Sequence, residues 1–454
     1  MSLPRYPQYK EGGKAWLGEV PAHWRISPLK YLASFKSGGT PSKDNLEYWD
    51  GDVPWASAKD LKTDTLADTI DHVTAHAVES GNASIVPAGT ILVVVRGMIL
   101  ARAFPVSETL LPMAINQDLK GLVPGKNLLP RFLAWLLRGT ADESLLRLDE
   151  AGHGTKALRM DAWTSMQLPV PPIEEQLTIV MFLDHETRKI DALISEQENL
   201  LALLAEKRQA TISHAVSRGL NPDAPMKDSG VAWLGDVPAH WEVKQLRYIA
   251  KIVRGASPRP AGDPLFFAPD NDDGSNTPWV TVAEVTKDTT THLESVSEFL
   301  TPLGAESSQY FERGTLIFTN SGATLGVPKI LAIDCCANDG ILAFKNLSPS
   351  VESLFLYFFL LTTTDRLRTE MKQGGGQPNL NTDIVKNIFF AKPSTEEQSE
   401  IAAFLQLESA RLDSLKAEAE RAIDLLKERR SALIASAVTG KIDVRNTVPQ
   451  ELAA

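Results

Sequence analysis

Polar side chains placed where the chain leaves an apolar run are the groups here best suited to chemistry, and the chemistry they suit is contact with phosphates and base edges. Arg96-Gly97 follows the apolar run Ile91 to Val95, so a guanidinium emerges at the end of a predicted buried strand. It serves either as a base or phosphate contact or as a solvated strand end. Thr319-Asn320-Ser321-Gly322 closes a similar run that begins at Thr315, and offers amide and hydroxyl groups instead. Asn320 and Ser321 are candidates for the same task, with a polar turn as the alternative. Gly154-Thr155-Lys156 and Gly374-Gly375-Gly376-Gln377 expose backbone N–H groups that can approach a phosphate closely, since glycine has no Cβ. Flexible connectors would have the same composition. Lys36, Lys43, Arg254, Arg259, Lys372 and Gln373 complete the candidate set, each also readable as a solvated surface residue.

Bond-making chemistry finds little support. There is no Gly-x-x-x-x-Gly-Lys-Ser/Thr phosphate loop, no Gly-x-Gly-x-x-Gly after a strand, and no Asn/Asp-Pro-Pro-aromatic segment. Pro171-Pro172 lacks both flanks of the last. Cys335 and Cys336 are adjacent, so they supply neither a disulfide framework nor a four-ligand zinc site. His23 and His240 have no carboxylate or cysteine cluster at ligand spacing. Scattered Asp and Glu pairs cannot establish nuclease chemistry without geometry.

The elements that must hold these residues occur twice. Trp16 to Trp24 reads WLGEVPAHW and Trp233 to Trp241 reads WLGDVPAHW, at an offset of 217. The match continues from Leu29–Ala33 to Leu246–Ala250 and from Thr40-Pro41 to Ser257-Pro258. It then slips, through loops of unequal length, to an offset of 222 that joins Glu174-Glu175-Gln176 to Glu396-Glu397-Gln398. In each copy, Arg25 to Pro172 and Glu242 to Pro393 mix short β-rich runs with turn residues, which is the pattern of an α+β unit. Ile91 to Val95 and Thr315 to Thr319 are predicted strands; Leu128 to Leu137 and Ser353 to Leu361 suit short buried helices, although runs so brief also fit strands. Trp55 and Trp279 hold equivalent places and are expected in the core, with stacking platforms as the alternative. Trp16, Trp24, Trp233 and Trp241 are expected to join each unit to its helix or to offer a docking surface.

After Pro171-Pro172 and after Pro393 the chain turns to Leu, Ala, Glu, Lys and Arg with no proline for over 40 residues, predicting one long helix in each copy. The stripes Ile179, Leu183, Ile190, Leu193, Leu200, Leu204 and Ile401, Leu405, Leu412, Leu415, Ala422, Leu426 mark a coiled-coil seam, with Gln197 and Ala419 within it. At about 1.5 Å per residue, 44 residues span roughly 65 Å. Two equal helices on two equal units pair most simply antiparallel, about a pseudo-two-fold axis. The predicted organisation is therefore 1–172 globular unit, 173–218 helix, 219–232 linker, 233–393 second unit, 394–442 helix, and a mobile tail 443–454. Within that linker, Gly219 to Ser229 simply returns the chain.

Bulk composition bounds the rest. At 454 residues with 43% apolar and 23% charged content the chain is ordinary globular protein of more than one domain. No apolar run reaches the roughly 18 residues a membrane span needs, so a soluble, cytoplasmic protein is expected. Net charge is −11, and the two globular segments hold 15 basic against 16 acidic and 14 against 17 residues. Nucleic-acid affinity would need an asymmetric face or encirclement by partners.

Together, the WLGxVPxHW opening preceded by Tyr9-Lys10-Glu11, Pro171-Pro172-Ile173-Glu174-Glu175-Gln176 and its single-proline copy Pro393 to Gln398, and the glycine-rich stretches Gly152 to Lys156 and Gly374 to Leu380 resemble the specificity subunit of type I restriction-modification systems. The resemblance covers nearly the whole chain. It implies two target-recognition domains, each reading one half of a split asymmetric sequence on double-stranded DNA, with the helices setting the unread spacer. It further implies two modification subunits that hold S-adenosylmethionine and methylate adenine, motor-nuclease restriction subunits with ATP and Mg, and no cofactor or catalytic residue in this chain. The other classes that stay open are an autonomous methyltransferase or nuclease, and a coiled-coil scaffold without a DNA role.

Overall fold

The computed structural model describes residues 3–151, 155–272, 274–322, 324–369 and 380–447. The chain forms two compact units, Met1–Glu198 with Glu420–Ala454, and Asn199–Ala419. Each is a globular domain together with part of both long helices.

In the first unit, Ile91–Val94 is buried at all four positions. Such a strand needs cover on both faces, so it lies inside a sheet and not at its edge. It sits in the five-stranded order Ala33–Ser37, Leu119–Pro124, Ile91–Val94, Val106–Thr109, Thr65–Leu66. The helix Pro130–Gly139, with Phe132 to Leu137 buried, packs on this sheet. Proline at its first turn costs no hydrogen bond there, because that N–H would have no helical partner. A four-stranded sheet, Asp71–Val73, Trp49–Ala56, Met113–Ile115, Ser84–Val86, lies beside it in the chain's path. The turn at 116–118 carries the chain from this sheet into the first.

The second unit repeats the plan. Its main sheet runs Lys251–Arg254, Ile341–Lys345, Leu316–Thr319, Pro328–Leu331, His292–Leu293, the same order as the first. The turn at 338–340 leads into it from Cys335–Ala337, whose sheet also holds Thr277–Val280. The apolar stretch at Ser353 forms the helix Ser353–Thr369.

In both domains the first and last strands pair antiparallel, Arg25–Pro28 with Gln167–Val170 and Glu242–Gln245 with Phe389–Lys392. This brings the two ends of each domain together at the start of a long helix. The long helices are Ile173–Arg218 and Thr395–Val438. In the first unit, Ile179 and Leu183 from the start of one share a core with Ile434, Ala437 and Val438 from the end of the other. In the second unit, Ile212, Ala215 and Val216 share a core with Ile401, Ala402 and Leu405. The helices are thus antiparallel within each unit.

Three expectations are corrected. The seam does not run through Leu193, Leu200 and Leu415, which are 45%, 39% and 41% exposed. The positions turned from solvent are instead Ile190, with Ile194, Gln197, Leu201 and Leu204 partly buried, and Leu412, Ala419 and Ile423, with Leu426 partly buried. Neighbouring leucines repeat every seven residues in both phases, and only the alternating four-three phase keeps facing a partner helix. The linker is shorter than 219–232, since Met226–Asp228 pairs with Asp236–Pro238 as Tyr9–Glu11 pairs with Glu19–Pro21. The tail is packed as far as it is described: Val444 is fully buried, the Asp443 N–H donates to the Pro4 carbonyl at 2.8 Å, and the Arg445 guanidinium lies over the Tyr6 ring.

Candidate nucleic-acid interface

The Glu-Gln pair at the start of each long helix fixes the opening segment and the globular domain to that helix. Gln176, with no exposed surface, donates to the Asn127 and Pro171 carbonyls and accepts from the Leu129 N–H at 2.9 Å. Gln398 repeats this with Ser350, Pro393 and the Glu352 N–H. A buried amide must satisfy both of its ends, and here every bond goes to backbone of the same domain. The neighbouring Glu175 accepts from the Tyr6 hydroxyl at 2.5 Å and the Trp24 indole N–H at 3.1 Å, and pairs with His23 at 2.8 Å. Glu397 takes the Trp241 indole N–H and His240 in the same way. Trp24 and Trp241 are therefore packing residues that tie the opening segment to the helix. Burial and its bond to Glu175 push the Tyr6 hydroxyl far above its ordinary range.

The described polar residues predicted from sequence fall into separate groups. In the first unit Arg96 and Gly97 pair in register with Ala157 and Lys156, so Arg96, Thr155 and Lys156 share a three-stranded sheet. Lys36 stands on the edge strand of the five-stranded sheet, opposite Gly121. Arg96, Lys36 and Lys43 are exposed. Lys156 is held by Glu150 at 2.7 Å, and its ammonium draws the Glu150 carboxyl below the usual range. Lys43 lines a hollow with Trp49, Trp55 and Asn116.

In the second unit Arg254 and Arg259 converge on Asp339: Arg254 Nε donates to its carbonyl at 2.5 Å, and Arg259 stands 3.7 Å from its carboxylate. Ser321 is half-buried next to the same turn. Asn320 is corrected. It is 1% exposed, its backbone N–H donates to the Gly340 carbonyl, and its side chain donates to the Leu380 carbonyl. An amide committed inside the domain is unavailable to a base edge. Gly154, Lys372, Gln373, Gly375, Gly376 and Gln377 lie outside the described residues. Trp55 and Trp279 are 6% and 3% exposed, with ring edges against Trp49 and Phe267.

Sequence reasoning missed the turns that stand between these residues, Asn116-Gln117-Asp118 and Asn338-Asp339-Gly340. The signal was present, because the same 222-residue offset that aligns the Glu-Gln pairs superposes the two asparagines. Among the described residues, no group of three or more His, Cys, Asp or Glu side chains is placed to hold a metal ion. No described helix is long and apolar enough to cross a membrane.

Comparison with known proteins bears on what such a surface serves. The family model described as type I restriction modification DNA specificity domain matches residues 21–202 and again residues 238–421. The chain is 30% identical over 204 residues to the EcoR124I/EcoR124II specificity subunit of Escherichia coli, a match spanning 44% of this chain and 46% of that one. It is 23% identical to the MjaIX specificity subunit of Methanocaldococcus jannaschii over 94% of this chain and 95% of the relative. Among solved structures, a chain from a study of complex assembly and conformational transition of the type I R-M system superposes with TM-score 0.72 at 16% identity, covering 92% of this chain and 98% of that one. The HsdS subunit from Thermoanaerobacter tengcongensis superposes with TM-score 0.52 at 17% identity, over 93% and 98%. Two family matches, one on each copy of the duplicated α+β domain and together covering most of the chain, place it in the type I restriction modification DNA specificity family.

Proposed function

We propose that this chain is the DNA specificity subunit of a type I restriction-modification enzyme. Each globular domain reads one half of a bipartite asymmetric target, the paired helices fix the spacer between halves, and the chemistry resides in partners. Two modification subunits would bring S-adenosylmethionine and methylate adenine, and restriction subunits would bring ATP and Mg. The chain itself contributes groups that position and specify, not groups that react.

One observation carries this reading: the main sheets of the two domains share strand order and turn positions but differ in the polar groups beside them, Arg96 against Ser321 and Gln117 against Asp339. Identical frames with different tips are what two readers of different words require. The near balance of charge in both segments fits a subunit whose phosphate contacts are completed by partners. Exposed Leu193, Leu200, Leu203, Leu407 and Leu425 on the long helices supply apolar surface on which modification subunits can dock.

The test is methylome sequencing of a host that carries the complete system. A split target is expected, and exchanging Arg25–Pro172 for the corresponding segment of another family member alters one half of it only. Inserting four residues at matched positions of both helices adds about 6 Å, close to two base pairs at ~3.4 Å each. An unsplit target, a change in both halves, or an unchanged spacer counts against the proposal.

A further inference from the structure

Each domain carries a hollow at the same place, and the two differ where a reader of bases would differ. In the first domain it measures about 560 Å³ and is walled by Trp55 and Trp49, with Thr40, Asn116 and Gln117 on its lip. In the second it measures about 470 Å³ and is walled by Trp279 and Phe267, with Ser257, Asn338 and Asp339 on its lip.

Much of the frame of the two hollows is repeated bond for bond, although the Gly39 carbonyl accepts from the Trp55 indole N–H and the Ala256 carbonyl from the Ser308 hydroxyl. Gly38 and Gly255 lie against the turns at Asn116 and Asn338 so closely that an added Cβ would sit 1.9 Å and 2.1 Å from backbone oxygens; only glycine allows that approach. The Gly39 and Ala256 N–H groups then donate to the Ile115 and Ala337 carbonyls, both at 2.9 Å. Asn116 and Asn338 each fold back to accept from the N–H two residues on, both at 3.1 Å. The Thr40 hydroxyl donates to the Gln117 side-chain carbonyl, and the Ser257 hydroxyl donates to the Asp339 carboxylate at 2.8 Å.

Glycine, hydroxyl and asparagine are thus retained in both copies, while the side chain they hold changes from an amide to a carboxylate. Gln117 is exposed and Asp339 is partly exposed. A residue kept for packing would not need to change inside so constant a frame. A residue that reads a base would.

The chemistry of the two tips then assigns the bases. Gln117 presents a donor and an acceptor side by side, and its carbonyl keeps a second lone pair after accepting from Thr40. That arrangement matches N7 and the amino group of adenine in the major groove. Asp339 is acceptor-only and matches the amino group of cytosine, while Arg259 beside it, 72% exposed, supplies donors for the guanine of the same pair. Lys59 on the first lip and Arg254 beside the second turn are placed for phosphates. Resting on the proposed function, we propose that these matched hollows are base-reading sites, in which Gln117 selects an A·T pair in one half of the target and Asp339 a G·C pair in the other.

The experiment uses the full chain assembled with its modification subunits and reads methylated sites across a DNA library randomised at every target position. Gln117→Asp is expected to change the preferred pair at one position of one half, and Asp339→Gln at one position of the other, each shifting discrimination roughly 5- to 150-fold. The untouched half reports that the complex is intact. Should Gln117→Asp give no methylation, Thr40→Ala, which frees Gln117 without altering it, is expected to relax the same position. Unchanged targets in both exchanges, changes in both halves at once, or a Thr40→Ala variant with unaltered discrimination would overturn the inference. If the unaltered complex methylates no split target, the functional proposal itself fails and the inference falls with it.

Discussion

Arg430 donates to Asp191 across the paired helices at 2.8 Å, and the same two repeat positions meet again with their roles exchanged, Arg208 donating to Asp413 at 2.5 Å. Asp191 and Asp413 lie 222 residues apart, as do Arg208 and Arg430. One duplicated pair of charges therefore forms two ion pairs, one in each unit, which only an antiparallel pairing of equivalent helices produces.

The two pairs should not be equal in strength. Arg430 also lies 3.4 Å from Asp64 and over the Trp135 ring, whereas Arg208, similarly exposed, meets no acidic side chain other than Asp413 among the described residues. Arg430→Gln is expected to cost about 1 kcal/mol of stability and Arg208→Gln less than ~0.5 kcal/mol. Denaturant unfolding of both variants, with a double-mutant cycle against Asp191→Asn, checks this. Equal losses would show that Asp64 and Trp135 add nothing.

Glu175 is 7% exposed and receives Tyr6, His23 and Trp24, while Glu397 is 25% exposed and receives His240 and Trp241. Truncation orphans the donors left behind, and a buried orphan loses its water as well as its partner. Glu175→Ala is expected to destabilise the first unit by about 3 kcal/mol, and Glu397→Ala the second by about half of that. Hydrogen exchange should locate the first loss at Tyr6–Trp24 and the second at Met226–Trp241.

Lys329 is 1% exposed and its ammonium is met by Asp288 and the Thr290 hydroxyl. The Lys329 bond, then the bonds to Thr290, hold the Asp288 carboxyl well below the usual carboxylate range. A proton therefore binds the unfolded chain first as pH falls, so the contribution is complete above about pH 4 and declines below it. Unfolding in urea between pH 3 and 7 should show this loss in the second unit. Asp288→Asn should cost about 2 kcal/mol at neutral pH, less than a fully buried pair because Asp288 is partly exposed. It should also flatten the acid dependence, and an acid slope unchanged in this variant would assign the effect to other carboxylates.

Much of the architecture was legible because it is written twice. The repeated WLGxVPxHW and Glu-Gln segments announced two equal domains, and the proline-free stretches, rich in helix formers, announced the helices. Strands such as Ile91–Val94 were legible because four buried apolar residues in a row have no other economical place. What the residues alone could not choose was phase and partnership. Leu193 and Ile194 both fit a heptad, and only the facing helix decides that Ile194 turns inward.

The candidate site divides along the same line. Residue type marked Arg96 as a strand-end cation, since charge next to an apolar run has to leave the core, and offered Arg254 and Arg259 only as exposed cations. Type alone equally suggested Asn320, which tertiary structure buries, and passed over Gln117 and Asp339, which it presents. Composition, repeat and periodicity are properties of a linear chain and fix which elements exist. Which polar atoms stay free for a ligand depends on hydrogen bonds between residues far apart in the chain, as between Thr40 and Gln117, and those exist only once the strands have come together.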